Sequence, residues 1–279
     1  MNLFELFVKI GVDDQASGSL KSIGQKLGNG LKTAAKIGTA AVGAAAAGIT
    51  ALTTAAVNNY AEYEQLVGGV ETLFKGSADK VKAYASDAFF TAGVSANEYM
   101  QQVTSFTASL IRSTAGDTAK AADIANMALI DISDNVNKMG SSMESVTLAY
   151  QGFAKQQYML LDNLKLGYGG TKTEMERLLK DAQALTGVKY DINNLADVYS
   201  AIHAIQEELG ITGTTAKEAE KTISGSANMM KAAWQNVLSA IAGGGDLDRA
   251  INNLVYSIQK YFETIVPVVQ RSLIGIGRL

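Results

Sequence analysis

Thr171-Lys-Thr-Glu-Met-Glu-Arg-Leu-Leu-Lys-Asp-Ala-Gln-Ala-Leu-Thr-Gly187 carries both ends of a helix in its own residues. A threonine followed three places on by a glutamate is a capping box. The Thr171 hydroxyl can accept from the Glu174 amide, and the carboxylate can reach back. Gly187 stands where a helix stops, because glycine takes the left-handed conformation that closes a last turn. The same start recurs at Ser95 with Glu98, Ser141 with Glu144 and Thr215 with Glu218. Gly93, Gly116, Gly140 and Gly210 punctuate the chain in the same way. Working outward from these marks, the spacing predicts helices over 77–92, 95–113, 117–139, 142–155, 171–186, 193–209, 214–242 and 246–276. Residues 159–170 read as a loop and 188–192 as an extended stretch.

Composition agrees with a helical chain. There is one proline, Pro267, in 279 residues, and aromatic residues make up only 7%. Proline breaks helix interiors and alanine is the best helix former, so a proline-poor, alanine-rich chain runs on in helices. Few aromatic rings mean few large anchors for a tight core. The expected fold class is mainly α, with elongated or loosely bundled helices and a short N-terminal β-strand. That strand is read over 1–12, where Phe4, Leu6, Val8 and Ile10 alternate with Leu3, Glu5, Phe7 and Lys9. No basic stretch followed by an apolar run opens the chain, so no secretion signal is expected.

Residues 13–61 form an Ala/Gly-rich helical segment, predicted as helices over 14–36 and 38–75. Leu20, Ile23, Leu27 and Leu31 share one helical face. Residues 37–61 carry no charge, a length that could span a bilayer. Gly38, Gly43, Gly48, Ile49 and Leu52 then serve either a close helix–helix contact or a latent membrane segment. Thr39, Thr50, Thr53 and Thr54 inside the run favour the contact. Residues 62–242 read as the core domain. After Gly243-Gly-Gly245, residues 243–279 read as a C-terminal helix. Its stripe of Leu247, Ile251, Leu254, Ile258, Phe262 and Ile265 continues into Val266, Val268, Val269 and Leu273, an apolar end that calls for a partner.

Chemistry is sparse. A net charge of −3 offers no basic face for nucleic acid, and no cysteine supplies a thiolate or disulfide. The sole histidine, His203, stands mid-helix between Ile202 and Ile205 without a nucleophile signature, and reads as structural. Asp131 with Asp134, and Asp191 with Asp197, have the spacing of solvated helix faces, without a third metal ligand. Gly167-Tyr-Gly-Gly-Thr-Lys-Thr173 lacks the adjacent Gly-Lys of a nucleotide-binding loop. Gly167, Gly169 and Gly170 read instead as a tight turn feeding the Thr171 cap. Trp234, the lone tryptophan, reads as a packing anchor. No catalytic, cofactor or metal site is expected.

Two blocks carry a resemblance. One is Ser141-Ser-Met-Glu-Ser-Val-Thr-Leu-Ala-Tyr-Gln-Gly-Phe-Ala-Lys-Gln156. The other runs from Leu161-Asp-Asn-Leu-Lys-Leu-Gly-Tyr-Gly-Gly to Met175-Glu-Arg-Leu-Leu179. Together they are similar to the core region of phage tail tape measure proteins. Leu66-Val-Gly-Gly-Val-Glu-Thr-Leu-Phe74 resembles the entry to that region, and Ala233-Trp-Gln-Asn-Val-Leu238 its closing helix. The resemblance implies a non-enzymatic protein of the tail lumen that templates tube polymerisation, sets tail length and assists DNA ejection. Implied partners are further copies of the chain, the tail tube protein, tail assembly chaperones and, during ejection, the host membrane. The alternative expectation is a membrane-active, pore-forming helical protein, resting on residues 37–61.

Overall fold

The computed structural model describes the backbone of residues 46–276 apart from Gly244, and the side chains of residues 54–268. The strand expected over 1–12, the helix over 14–36, Gly38 and Gly43 lie outside these residues. Within them the protein is almost entirely α-helical, and no β-strand occurs among the described residues. The helices are α1 (Ala46–Phe74), α2 (Ala78–Thr91), α3 (Ala96–Ser113), α4 (Thr118–Met139) and α5 (Met143–Phe153). They continue with α6 (Lys172–Thr186), α7 (Leu195–Glu208), α8 (Thr214–Glu218), α9 (Ile223–Ile241) and α10 (Leu247–Ile276).

The local signals work through their hydrogen bonds. Ser95 forms a complete capping box: its hydroxyl accepts from the Glu98 amide at 3.2 Å, and the Ser95 amide donates to the Glu98 carboxylate at 3.0 Å. Thr171 makes half of one. Its hydroxyl accepts from Glu174 N, but the Glu174 carboxylate takes the Gly169 amide and Arg177 instead. Before α5 the cap is Ser142, one residue later than expected, because the Ser141 hydroxyl donates to Asn163 O. Gly140 and Gly187 close α4 and α6 at φ 64° and 71°.

Three expectations need correcting. The stretch 188–192 is a loop, with no strand to pair with it among the described residues. The loop read over 159–170 holds a 3-10 turn at Leu161–Leu164. The single helix read over 214–242 is two helices. Thr222 caps α9 by accepting from Gly225 N. A Cβ on Gly225 would stand 2.6 Å from Glu218 O, so the break needs a glycine there.

The chain divides into two compact units, Leu66–Lys217 and residues 1–65 with 218–279. In the first, α4 is central and packs on α2, α3, α5 and α7. Its Ala121, Ala122, Ala125 and Ala128 are all buried, which lets neighbouring backbones come close. The scarce aromatic residues are gathered rather than scattered. Phe106, Tyr150, Phe153 and Tyr199 are buried together, with the Tyr150 and Tyr199 rings 4.9 Å apart and Phe106 edge-on to Tyr199 at 5.6 Å. In the second unit α9 packs against α10, and Ser239 donates to Asn59 on α1. This grouping places α9 with α10.

Candidate functional site

The α9–α10 pair presents the surface that the sequence marked as needing a partner. A short connection through 242–246 makes the two helices an antiparallel hairpin. Ile251, Leu254 and Ile258 are buried at 3%, 0% and 4% exposure. The Ser226 and Thr264 hydroxyls meet at 2.9 Å, so the start of α9 lies level with Thr264. From there α10 runs on to Ile276, about 18 Å further at 1.5 Å per residue. Val266 and Val268 are 42% and 37% exposed in that overhang. Along this part of α10 the described residues place no turn of α9 beside it. The polar edge is tied down elsewhere: Lys260 pairs with Glu263 at 3.2 Å and Glu220 at 3.6 Å, and Tyr256 bonds Glu220. Trp234 is half-buried on α9, while Met229, Ala233 and Val237 beside it are buried outright.

The membrane reading of residues 37–61 is overturned. No helix among the described residues is long and apolar enough to cross a membrane. Gly48, Ile49 and Leu52 fall in α1. That helix soon meets Asn58, Asn59, Glu62 and Glu64, and alanine, glycine and threonine contribute little lipophilicity before them.

The Leu66–Lys217 unit holds a buried polar seam that the sequence did not reveal. Asp131, read as solvated, is fully buried, and its carboxylate takes His203 Nδ1 at 2.8 and 3.1 Å. Asp134, also fully enclosed, accepts from Gly213 N at 2.5 Å and Thr215 N at 2.7 Å, holding the start of α8. Thr215 is thus a donor to Asp134 rather than the head of a capping box. Nearby, Gln206 donates to the Tyr150 hydroxyl and Asn135 to Leu164 O. The amide oxygens of Asn135 and Gln206 are buried without a partner, a cost of about 1–3 kcal/mol each. Burial pushes the Asp131 carboxyl up to about 6, against the pull of His203. The bond to Asp131 raises His203 above its ordinary value, with desolvation opposing.

An aspartate on Nδ1 orients an imidazole as a base, but the same bond favours the protonated ring, which works against proton acceptance. Among the described residues no hydroxyl bonds its other nitrogen, and no group of three or more acidic or histidine side chains could hold a metal. One signal could have exposed the seam. Asp131 lies between Ile130 and Ile132, and Asp134 and Asn135 share its helical face, so the acids stand within apolar sequence rather than on a charged run.

The glycine turn is built by close approach. A Cβ on Gly170 would stand 2.2 Å from Met159 O. Gly169 N donates to Glu174, and Gly167 O accepts from Arg177, whose guanidinium lies 4.3 Å from the Tyr168 ring centre. These bonds occupy the turn with its own side chains. Compared with protein-family models, with curated proteins and with solved structures, the chain matches none.

Proposed function

We propose that this chain is a phage tail tape measure protein, or the N-terminal portion of one, working by self-association and not by turnover. Support comes from the resemblance of residues 141–179 and from the mainly α fold. The observation that carries the reading is the apolar stripe of α10 running past the level where α9 begins, with Val266 and Val268 beside it 42% and 37% exposed. Such a stripe is satisfied by another helix of the same kind, and stacked copies give an extended scaffold on which tube subunits can assemble. Copies of the chain, the tail tube protein and tail assembly chaperones are its partners, and the tail lumen is its place. The His203–Asp131 pair then serves to hold α7 on α4.

Tail length tests the proposal. In a genome that encodes the chain and yields tailed particles, an in-frame duplication of residues 247–276 lengthens the tail by up to about 45 Å. Electron microscopy of negatively stained particles measures it. Tails of unchanged length, with the longer protein present in the particles, would falsify the reading.

A further inference from the structure

The Leu66–Lys217 unit encloses two amide oxygens, Asn135 Oδ1 and Gln206 Oε1, that no protein donor reaches among the described residues. Buried acceptors are normally met by protein or by ordered water. The two stand at one level of the unit. Asn194, at the start of α7, donates to Ser113 O ahead of α4, and Gly213, beyond the end of α7, donates to Asp134 late in α4. The two helices therefore run parallel. His203 meets Asp131 across them at 2.8 Å. Asn135 stands four residues beyond Asp131 and Gln206 three beyond His203, so each lies one turn further on the face that carries the pair. Tyr150 joins them from α5, its hydroxyl accepting from Gln206 Nε2 at 3.3 Å.

Turning the amides over does not satisfy them. Asn135 Nδ2 donates to Leu164 O at 2.8 Å, and the reversed amide would set oxygen against oxygen there. A reversed Gln206 would accept from Tyr150 and leave its own nitrogen without an acceptor. As placed, the Tyr150 hydroxyl accepts, and its own hydrogen has no acceptor among the described residues. Burial raises the Tyr150 pKa well above its ordinary value, so that hydrogen stays in place.

The unmet groups are thus two acceptors and one hydroxyl donor. A water molecule answers all of them, with two O–H bonds to give and a lone pair to receive, and three bonds are usual for an internal water. A bare cation suits the two oxygens but not the O–H and N–H hydrogens beside them. The nearby carboxylates are engaged already, Asp131 by His203 and Asp134 by the Gly213 and Thr215 amides. We infer that one internal water molecule is bound between α4, α5 and α7, donating to Asn135 Oδ1 and Gln206 Oε1 and accepting from the Tyr150 hydroxyl. It offsets the desolvation of both amides and joins the three helices one turn beyond the Asp131–His203 pair. The inference is independent of the tape measure reading.

NMR of the isotope-labelled full chain tests it, through cross-relaxation from water to side-chain amide hydrogens. The expected result is a cross-peak, with the sign of a slowly tumbling bound water, at both Asn135 Nδ2 and Gln206 Nε2. Tyr150→Phe removes the one hydroxyl that could relay exchange and keeps the Asn135 cross-peak. Gln206→Met, which removes the amide at little change in volume, loses it. Replacing sodium by choline at equal ionic strength alters neither signal. A wild-type spectrum without these cross-peaks would overturn the inference whether or not Gln206→Met folds. So would a signal that vanishes in Tyr150→Phe, which marks hydroxyl exchange, or one that survives Gln206→Met, which marks water held elsewhere. Signals that depend on sodium would overturn it too, since a cation would then fill the space.

Discussion

The Leu66–Lys217 unit and the α9–α10 hairpin use the same material, amphipathic helices of similar composition, to opposite ends. In the first, α4 is surrounded by α2, α3, α5 and α7, and its enclosure is complete enough to trap two carboxylates. In the second, α10 is buried at Ile251, Leu254 and Ile258 and exposed at Val266 and Val268. The difference lies in the number of neighbours. Four helices pack on α4, whereas α10, 30 residues long, packs chiefly on the 19 residues of α9. A closed unit resists change through its core; an open hairpin invites a partner through its end.

The largest expected effect attacks the closed unit at its aromatic centre. Tyr199 is fully buried, touches Phe106 and Tyr150, and donates its hydroxyl to Tyr150 O at 2.7 Å. Tyr199→Ala removes rings and bond together and should cost about 4 kcal/mol in denaturant unfolding of this unit. A loss below about 1 kcal/mol would mean that the cluster is not its core.

Next comes the pH dependence of the seam. Asp131 and His203 both have folded values raised above their unfolded ones, 3.8 and 6.5. Each holds its proton more tightly when folded. Each contribution is complete below the unfolded value and drains as pH rises through the folded one, which for Asp131 runs from about pH 4 to about 6. Asp131→Asn cannot lose that proton. Relative to wild type, the variant should gain about 3 kcal/mol as pH rises from about 4 through about 6, the size of a two-unit shift. Amide exchange protection in α4 and α7 measures it, and a pH-independent difference would refute the assignment.

Glycines sharpen the comparison at a smaller scale. Helix propensity alone makes any Gly→Ala change within a helix stabilising by about 1 kcal/mol. Gly68, with nothing within 4 Å of a built Cβ, should follow that rule. Gly225 should break it, because its Cβ would meet Glu218 O at 2.6 Å, and Gly225→Ala should cost about 2 kcal/mol. Thermal melts of the two variants should move in opposite directions.

These sites also show what the sequence could carry. Helix ends were legible because their signals are local: Ser95 with Glu98, Gly140 and Gly187 all act within one turn. The break between α8 and α9 was not, since Gly225 matters through its distance to Glu218 rather than through its neighbours. Asp131 and Asp134 were misplaced on a solvated face for the same reason. Their partners His203 and Gly213 stand 72 and 79 residues away, and spacing along one helix says nothing about what packs across it. The apolar end of α10 was legible, being a property of one helix.

That end supplies the smallest expected effect on stability and the clearest on assembly. Val266 and Val268 are 42% and 37% exposed, so Val266→Asp/Val268→Asp removes little buried area within one copy. Unfolding of the chain should change by no more than about 0.5 kcal/mol. In an interface between copies the same change buries two unpaired carboxylates, at a cost of several kcal/mol. Sedimentation of the wild type should therefore give oligomers that the double variant lacks at equal concentration. If the wild type sediments as a monomer, or if the variant associates as strongly, the open stripe is a solvated helix end and the contrast between the two regions loses its functional meaning.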